Sequence, residues 1–212
     1  MGHRFAEIAF TDTVKKVQEA MGSRRNYARM ETGDEPSNHV LGPGEAEFIA
    51  ERDSFYMATA SETGWPYVQH RGGPPGFVRV LDEKTIGFAD FRGNRQYVSV
   101  GNLMKDDRVS LFFMDYPNKT RLKLLGRAKL VDLSDTATLA KIELPHYRAR
   151  VERGFLITVE AFDWNCPQHI TPRYTQVEME EFVGPLKQRI AELEAQLQAA
   201  RPVEAVSRAA TG

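Results

Sequence analysis

The chain lacks the features that mark several large classes of protein. It has one cysteine, Cys166, among 212 residues, which excludes an intrachain disulfide framework and zinc modules built from several cysteines. No apolar run approaches the roughly 20 residues that a membrane-spanning helix needs, and the first residues lack the apolar core of a secretory signal. These absences lead us to expect a cytoplasmic protein that does not act on membranes.

The charge balance and the missing glycine motifs exclude further classes. Lysine and arginine total 28 and aspartate and glutamate total 29, for a formal net charge of -1, which argues against a protein that coats nucleic acid. The sequence contains neither a glycine-x4-glycine-lysine phosphate loop nor a three-glycine dinucleotide fingerprint. The five histidines show no metal-ligand spacing. We therefore expect a small-molecule substrate, no nucleic-acid partner and no metal site.

Composition divides the chain into three zones. Residues 1–45 contain an amphipathic helix that begins at Thr11 or Asp12, followed by a polar stretch with several glycines and prolines that we interpret as an extended arm. Residues 46–175 alternate about seven short β-type runs with turns, a pattern typical of a barrel or sandwich. Residues 176–212 are predicted to form a helix, followed by a tail of small and polar residues that we predict to be disordered.

The middle zone contains strand signals at short, regular intervals. Antiparallel pairing is predicted because most of the connections are short turns. A short helix between the last two strands is predicted to begin at Ser134 and end at Glu143. The predicted strands span residues 55–60, 67–71, 77–81, 85–91, 109–116, 121–131 and 154–164.

The C-terminal zone contains a heptad pattern. Leu186, Ile190, Leu193 and Leu197 are spaced four, three and four residues apart, as on the seam of a coiled coil. Two heptads are short for an independent coiled coil. A terminal helix that packs its stripe on its own domain and a short coiled-coil dimer are both compatible with this pattern.

Two polar clusters in the middle zone are candidates for ligand binding. Strand alternation puts Gln69 and Arg71 on one face of their strand, so both can meet the same ligand, whereas His70 lies on the other face. Arg95, together with the N–H groups of a helical turn that follows it, would form an anion site. The hydroxyl of Ser99 adds a further hydrogen-bonding group to that cluster.

Other residues that could carry chemistry have competing interpretations. Arg121 and Lys123 share one face of a strand, where they either lie in solvent or meet an anion. Cys166 could act as a nucleophile only with a base and an orienting group, and His169 is near it in sequence. A loop residue with no established catalytic partner is the other interpretation.

The order of these segments resembles the pyridoxamine 5'-phosphate oxidase-like family of flavin-binding split barrels, in an uncharacterised subgroup. The resemblance covers about residues 46–175. The segment Arg121–Ala128 looks like the family's Gln-Val-Arg-x-x-Gly strand, and Leu103–Leu111 looks like its passage from helix to strand. The stretches that carry the resemblance are residues 55–66, 88–96, 103–113 and 121–128, with 70–76 and 165–167 typical of the subgroup.

The resemblance implies a mainly β fold with α additions: a six-stranded antiparallel split β-barrel, flanking short helices, an N-terminal arm and a C-terminal helix. It also implies a homodimer that holds two FMN molecules at the subunit interface and an FMN-dependent oxidoreductase activity. Family positions carried onto this chain, with Gln69 and Arg71 added from strand geometry and Asn94 and Ser99 from the polar cluster around Arg95, give the following cofactor-binding candidates: Gln69, Arg71, Asp90, Asn94, Arg95, Gln96, Ser99, Arg121, Lys123, Trp164 and Arg173.

Several departures from the family pattern bear on function. The lysine of the family's Arg-Lys phosphate pair is Gln96 here, and residues 73–79 replace a basic strand. The terminal segment that grips pyridoxal phosphate is missing, so oxidation of vitamin B6 is not expected. His70 is the best candidate for a proton donor. A non-catalytic flavin- or haem-binding module and a deazaflavin-dependent reductase are alternative functions of the same fold.

Overall fold

The computed structural model describes residues 2–33, 36–164 and 167–200. They form two compact units, which divide between Ile170 and Thr171. The first unit contains the β-sheet and six helices, and the second contains one long helix. None of the described helices is long and apolar enough to cross a membrane.

Seven antiparallel strands form one sheet, in the order β2-β1-β5-β6-β7-β4-β3. This arrangement confirms the mainly β class and the barrel with additions, with one strand more than the six that the resemblance implies. Every predicted strand is present, with ends that differ by at most three residues. The strands are β1 (Ser54–Ala60), β2 (Pro66–Gly72), β3 (Val78–Asp82), β4 (Thr85–Phe91), β5 (Arg108–Asp115), β6 (Thr120–Val131) and β7 (Val151–Trp164).

Phenylalanine contacts show that the sheet curls into a barrel. Phe55 of β1 and Phe88 of β4 have ring centroids 5.2 Å apart, although three strands separate β1 from β4 in the hydrogen-bonding order. Phe55 also stacks on Phe113 at 4.9 Å, and Phe88 stacks on Phe155 at 4.9 Å. All four rings are fully buried. The interior of the curled sheet is therefore an aromatic core.

The N-terminal zone is more helical than the sequence pattern predicts. The Thr11 hydroxyl accepts a hydrogen bond from the N–H of Val14, so the second helix begins where predicted. The stretch interpreted as an extended arm contains a further helix and a 3₁₀ turn at Arg29–Glu31, so that interpretation is wrong in part. The helices of the first unit are α1 (Arg4–Ala9), α2 (Asp12–Ala20), α3 (Arg24–Ala28), α4 (Pro43–Ala50), α5 (Val98–Leu103) and α6 (Thr136–Ile142).

Helix α4 is absent from the sequence prediction, yet its start is well specified. Pro43 occupies the first turn, where its missing N–H costs nothing. The Glu45 carboxylate accepts a hydrogen bond from the N–H of Gly42 at 2.9 Å. Phe48 and Ile49 are buried in the barrel core, so α4 covers part of the barrel interior.

The N-cap of helix α6 lies one residue after Ser134, the predicted cap. The Asp135 carboxylate, and not the Ser134 hydroxyl, accepts a hydrogen bond from the N–H of Thr138 at 3.0 Å. Leu139 and Ile142 face a small apolar cluster beside the barrel. The helix therefore packs against the barrel as an amphipathic element.

The second unit contains helix α7 (Gln176–Ala200). A capping box begins it, because the Thr175 hydroxyl accepts from the N–H of Glu178 and the Glu178 carboxylate accepts from the N–H of Thr175. Pro185 lies inside the helix, and none of its residues is buried. The predicted disordered tail, residues 201–212, lies outside the described residues.

Candidate functional site

An open cleft lies where the two sides of the curled sheet meet. Strand β2 is one edge of the sheet, and β4 is next to the other edge. The Arg71 guanidinium of β2 nevertheless donates a hydrogen bond to the Asp90 carboxylate of β4. This ion pair therefore bridges the split in the barrel.

Six of the eleven predicted cofactor-binding residues line this cleft. Its empty volume is about 360 Å³, including space that is continuous with solvent. The residues come from four segments that the barrel brings together: β2, the end of β4, the loop that follows β4, and α5. They are Gln69, Arg71, Asp90, Asn94, Arg95 and Ser99.

Asp90 is the buried acid of the cleft. Asp90 is 7% exposed, and its Oδ2 lies 3.3 Å from Nε of Arg153 on β7. Burial raises the pKa of the Asp90 carboxyl above its ordinary value, while the guanidinium groups of Arg71 and Arg153 oppose that rise. The acid is therefore held between two cations, each of which is mostly buried.

The Arg71 guanidinium has a buried donor that makes no hydrogen bond to the described residues. Its guanidinium carbon lies 5.1 Å from the centroid of the Phe155 ring. Its Nε is buried and has no hydrogen-bond partner among the described residues. A buried N–H without a partner is costly, so this atom would gain from an acceptor supplied by a ligand in the cleft.

Hydrogen bonds fix Gln69, which lies beside Arg71 on β2, and the polar residues of α5. The Ser99 hydroxyl donates to Oε1 of Gln69 at 2.8 Å, and Ser99 itself is buried. One turn on, the Asn102 amide donates to the Thr59 hydroxyl at 2.9 Å. Because its oxygen accepts from Ser99, Gln69 presents its NH₂ group as the remaining donor.

The loop before α5 places Arg95 at the rim of the cleft. Asn94 accepts a hydrogen bond from the N–H of Gln96 at 3.1 Å, while Arg95 and Tyr97 adopt left-handed backbone angles, with φ of 62° and 54°. Such angles cost on the order of 1 kcal/mol or more for residues other than glycine. Nε of Arg95 donates to the Tyr97 hydroxyl at 3.1 Å, and this bond raises the pKa of Arg95 above its usual value.

Tyr97, Glu152 and Arg153 carry polar groups of this cleft region that were not predicted from the sequence. The Tyr97 hydroxyl lies 3.3 Å from the Glu152 carboxylate, and the Arg153 guanidinium lies 5.0 Å from the centroid of the Tyr97 ring. No motif marks Glu152 or Arg153 in the sequence. The available signal is indirect: Arg153 is the register partner of Asp90, and a buried acid needs a counter-charge.

The predicted alternation along β2 is correct. Gln69 and Arg71 face the cleft, whereas His70 is exposed on the opposite face. The His70 ring lies edge-on to the Tyr56 ring at 5.6 Å. The structure therefore does not bring His70 into the cleft of its own chain.

Arg121 and Lys123 lie outside this cleft, on the outer face of β6. Leu122 and Leu124 point into the barrel core, as the alternation predicts. Lys123 pairs with Asp163 at 2.5 Å, and its ammonium lies 4.9 Å from the centroid of the Phe5 ring. The guanidinium of Arg121 lies 5.5 Å from the centroid of the Phe112 ring.

The remaining candidates are spread over the chain. Gln96 is exposed and does not line the cleft. Trp164 donates its indole N–H to Glu45 at 2.9 Å and packs on Phe48, while Arg173 belongs to the second unit. The interpretations of Cys166 concern a residue outside the described ones.

Comparison with solved structures finds proteins of low sequence identity. The tagged HupZ protein of Group A Streptococcus is 16% identical, with a TM-score of 0.48, over 63% of this chain and 99% of that one. A Clostridium acetobutylicum protein related to general stress protein 26, of the pyridoxinephosphate oxidase family, is 18% identical, with a TM-score of 0.41, over 59% and 86%. An FMN-binding protein from Syntrophomonas wolfei is 11% identical, with a TM-score of 0.42, over 73% and 96%. This level of likeness carries no argument about function.

The comparison of sequences is more decisive. No curated protein matches the chain. The family model described as pyridoxamine 5'-phosphate oxidase matches residues 43–157, which run from α4 into β7 and make up more than half of the 212 residues. The matched range includes all the residues that line the cleft. The chain therefore belongs to the pyridoxamine 5'-phosphate oxidase family.

Proposed function

We propose that this protein binds FMN in the cleft between β2 and β4 and acts as a cytoplasmic oxidoreductase on a small molecule. The observation that carries the proposal is the charge around the cleft. Among the residues that the structure describes, Arg71, Arg92, Arg95 and Arg153 meet two acids there, Asp90 and Glu152. The resulting excess of two positive charges suits a phosphate dianion, although the whole chain carries a formal charge of -1.

The residues of the cleft divide into two roles toward FMN. Arg95 stands on the exposed rim, where its guanidinium can bind the phosphate by charge-assisted hydrogen bonds. Nε of Arg71 and the NH₂ of Gln69 are donors deeper in the cleft, and they suit the carbonyl oxygens of a flavin ring. FMN, when bound, would supply the hydride or electron transfer.

Binding of FMN is tested by equilibrium dialysis at micromolar cofactor, followed by the absorption spectrum of the retained flavin. We expect the wild-type protein to retain FMN and Arg95→Ala to bind it roughly tenfold to hundredfold more weakly, as for the loss of a hydrogen bond to a charged group. Arg25→Ala, which removes an exposed arginine of α3, is the matched control and should bind like the wild type. Wild-type protein that retains no FMN would overturn the proposal.

We further propose a homodimer with FMN at the subunit interface. Large apolar side chains are exposed on β2, in the turn before it and just after α5, with Val68 at 60%, Trp65 at 76% and Met104 at 77%. A second copy would cover such a surface. It would also offer Arg121, which lies outside the cleft of its own chain, to the cofactor of its partner.

Sedimentation at micromolar concentration tests this assembly. We expect a species of about twice the 24.0 kDa chain mass, because exposed apolar side chains on this scale favour association. A species that stays at the mass of one chain over the whole micromolar range would contradict the proposed dimer.

A flavin-binding module without turnover is the second candidate. It is favoured by the position of His70 outside the cleft and by the pairing of both cleft acids with arginines. Reduction of bound flavin by NAD(P)H in a stopped-flow experiment would exclude it. Repeating the dialysis with a deazaflavin and with haem distinguishes those cofactors from FMN, because tighter retention of either would replace FMN in the proposal.

A further inference from the structure

Helix α7 has an exposed apolar seam longer than the two heptads recognised in the sequence. With Ile190 assigned to heptad position a, the same phase extends back through Leu186, Val183 and Met179. Met179 is 44% exposed, Leu186 63%, Ile190 56%, Leu193 47% and Leu197 62%. A row of large apolar side chains over three heptads is the surface on which coiled coils assemble.

The residues at the a and d positions specify how many helices associate. At position a, Val183 and Ile190 are β-branched and Leu197, at the end of the seam, is not; at position d, Leu186 and Leu193 follow Met179. β-Branched residues at a with leucine at d favour two parallel strands over higher assemblies. Pro185 falls at position c, on the side of the helix away from the seam.

The charges that flank the seam specify the orientation. In a parallel pair, the g residue of one helix faces the e residue five positions further along the other. Arg189 at g therefore meets Glu194 at e of the second copy, once on each side of the seam. In an antiparallel pair with full overlap of the seam, Arg189 would meet Arg189 of the other copy and Lys187 would meet Lys187, so like charges oppose that orientation.

We propose that α7 pairs in parallel with α7 of a second copy and forms a two-stranded coiled coil. This interface belongs to the second structural unit and uses no residue of the cleft. The intrahelical pairs of Arg189 with Glu192 and of Lys187 with Glu180 are exposed, so they present little resistance to the interhelical contact.

Disulfide cross-linking in the full chain tests the proposal. In a Cys166→Ser background, Leu193→Cys places a thiol at a d position, where parallel helices bring the two β-carbons within disulfide reach. We expect mild oxidation to form the linked dimer at least about tenfold faster than in the matched control Ala195→Cys, whose f position faces away from the seam. Equal rates for the two variants, or no linked dimer from either, would overturn the proposal.

A charge exchange tests the parallel orientation separately. In the Leu193→Cys chain, Arg189→Glu or Glu194→Arg alone puts like charges across the seam and should slow cross-linking. The two changes together restore opposite charges and should restore the rate. A double variant as slow as the single ones would contradict the parallel pairing.

The same variants separate this proposal from the binding of FMN. Dialysis should show equal FMN retention for wild type, Leu193→Cys and Arg189→Glu, since none of these changes touches the cleft. Retained FMN without selective cross-linking would overturn the coiled coil alone. Selective cross-linking without retained FMN would support the coiled coil and overturn the cofactor proposal.

Discussion

Phe88→Ala should lower the free energy of unfolding by about 3–5 kcal/mol, the range measured when large aromatic side chains are truncated in protein cores. Phe88 is 1% exposed and stands at the centre of the aromatic core. Its ring stacks on Phe155 at 4.9 Å and meets Phe55 edge-on at 5.2 Å. Alanine would leave a cavity that neighbouring strands, fixed by their hydrogen bonds, fill only in part.

Urea unfolding of the full chain measures this change, and two further variants serve as controls. Phe88→Leu keeps most of the volume and should cost less than about 1.5 kcal/mol. Tyr56→Ala, which truncates an aromatic ring that is 39% exposed on the outer face of β1, should cost clearly less than Phe88→Ala. A loss for Phe88→Ala no larger than that for Tyr56→Ala would contradict the aromatic core.

The fold was largely predictable because each strand has a strong local signal. Alternation of charged and apolar residues in β6 identifies its inner face, as the burial of Leu122 and Leu124 confirms. Helix α4 is not predictable in the same way, because Phe48 and Ile49 form too short an apolar pattern beside the proline and glycine that precede them. The start of α4 depends on the hydrogen bond that the Glu45 carboxylate accepts from the N–H of Gly42, and this bond is evident only from the structure.

The candidate site was predictable only where its residues are close in sequence. The cluster from Asp90 to Ser99 was found as a group, and the structure brings Gln69 and Arg71 to it. Arg153 was not found, because it reaches Asp90 through the pairing of β4 with β7, sixty-three residues along the chain. A long-range register of this kind depends on the closure of the whole sheet.

Asp90→Ala should also destabilise the fold by about 3–5 kcal/mol, for an electrostatic reason. The change leaves Arg71 and Arg153, which are 11% and 20% exposed in their side chains, without the carboxylate between them. Two buried cations facing each other repel and are poorly solvated. The two sides of the split barrel would therefore separate more easily.

Urea unfolding near neutral pH measures the loss, and Asp106→Ala is the matched control. Asp106 pairs with Arg108, whose side chain is 72% exposed, so its loss should cost no more than about 1 kcal/mol. Adding Arg71→Met to Asp90→Ala removes one of the stranded cations and should recover part of the stability, because an apolar replacement of a buried pair is often tolerated. If the single variant is no less stable than Asp106→Ala, the Arg71–Asp90 pair does not hold the split together, and the cleft must be shaped by Gln69, Ser99 and the loop before α5 alone.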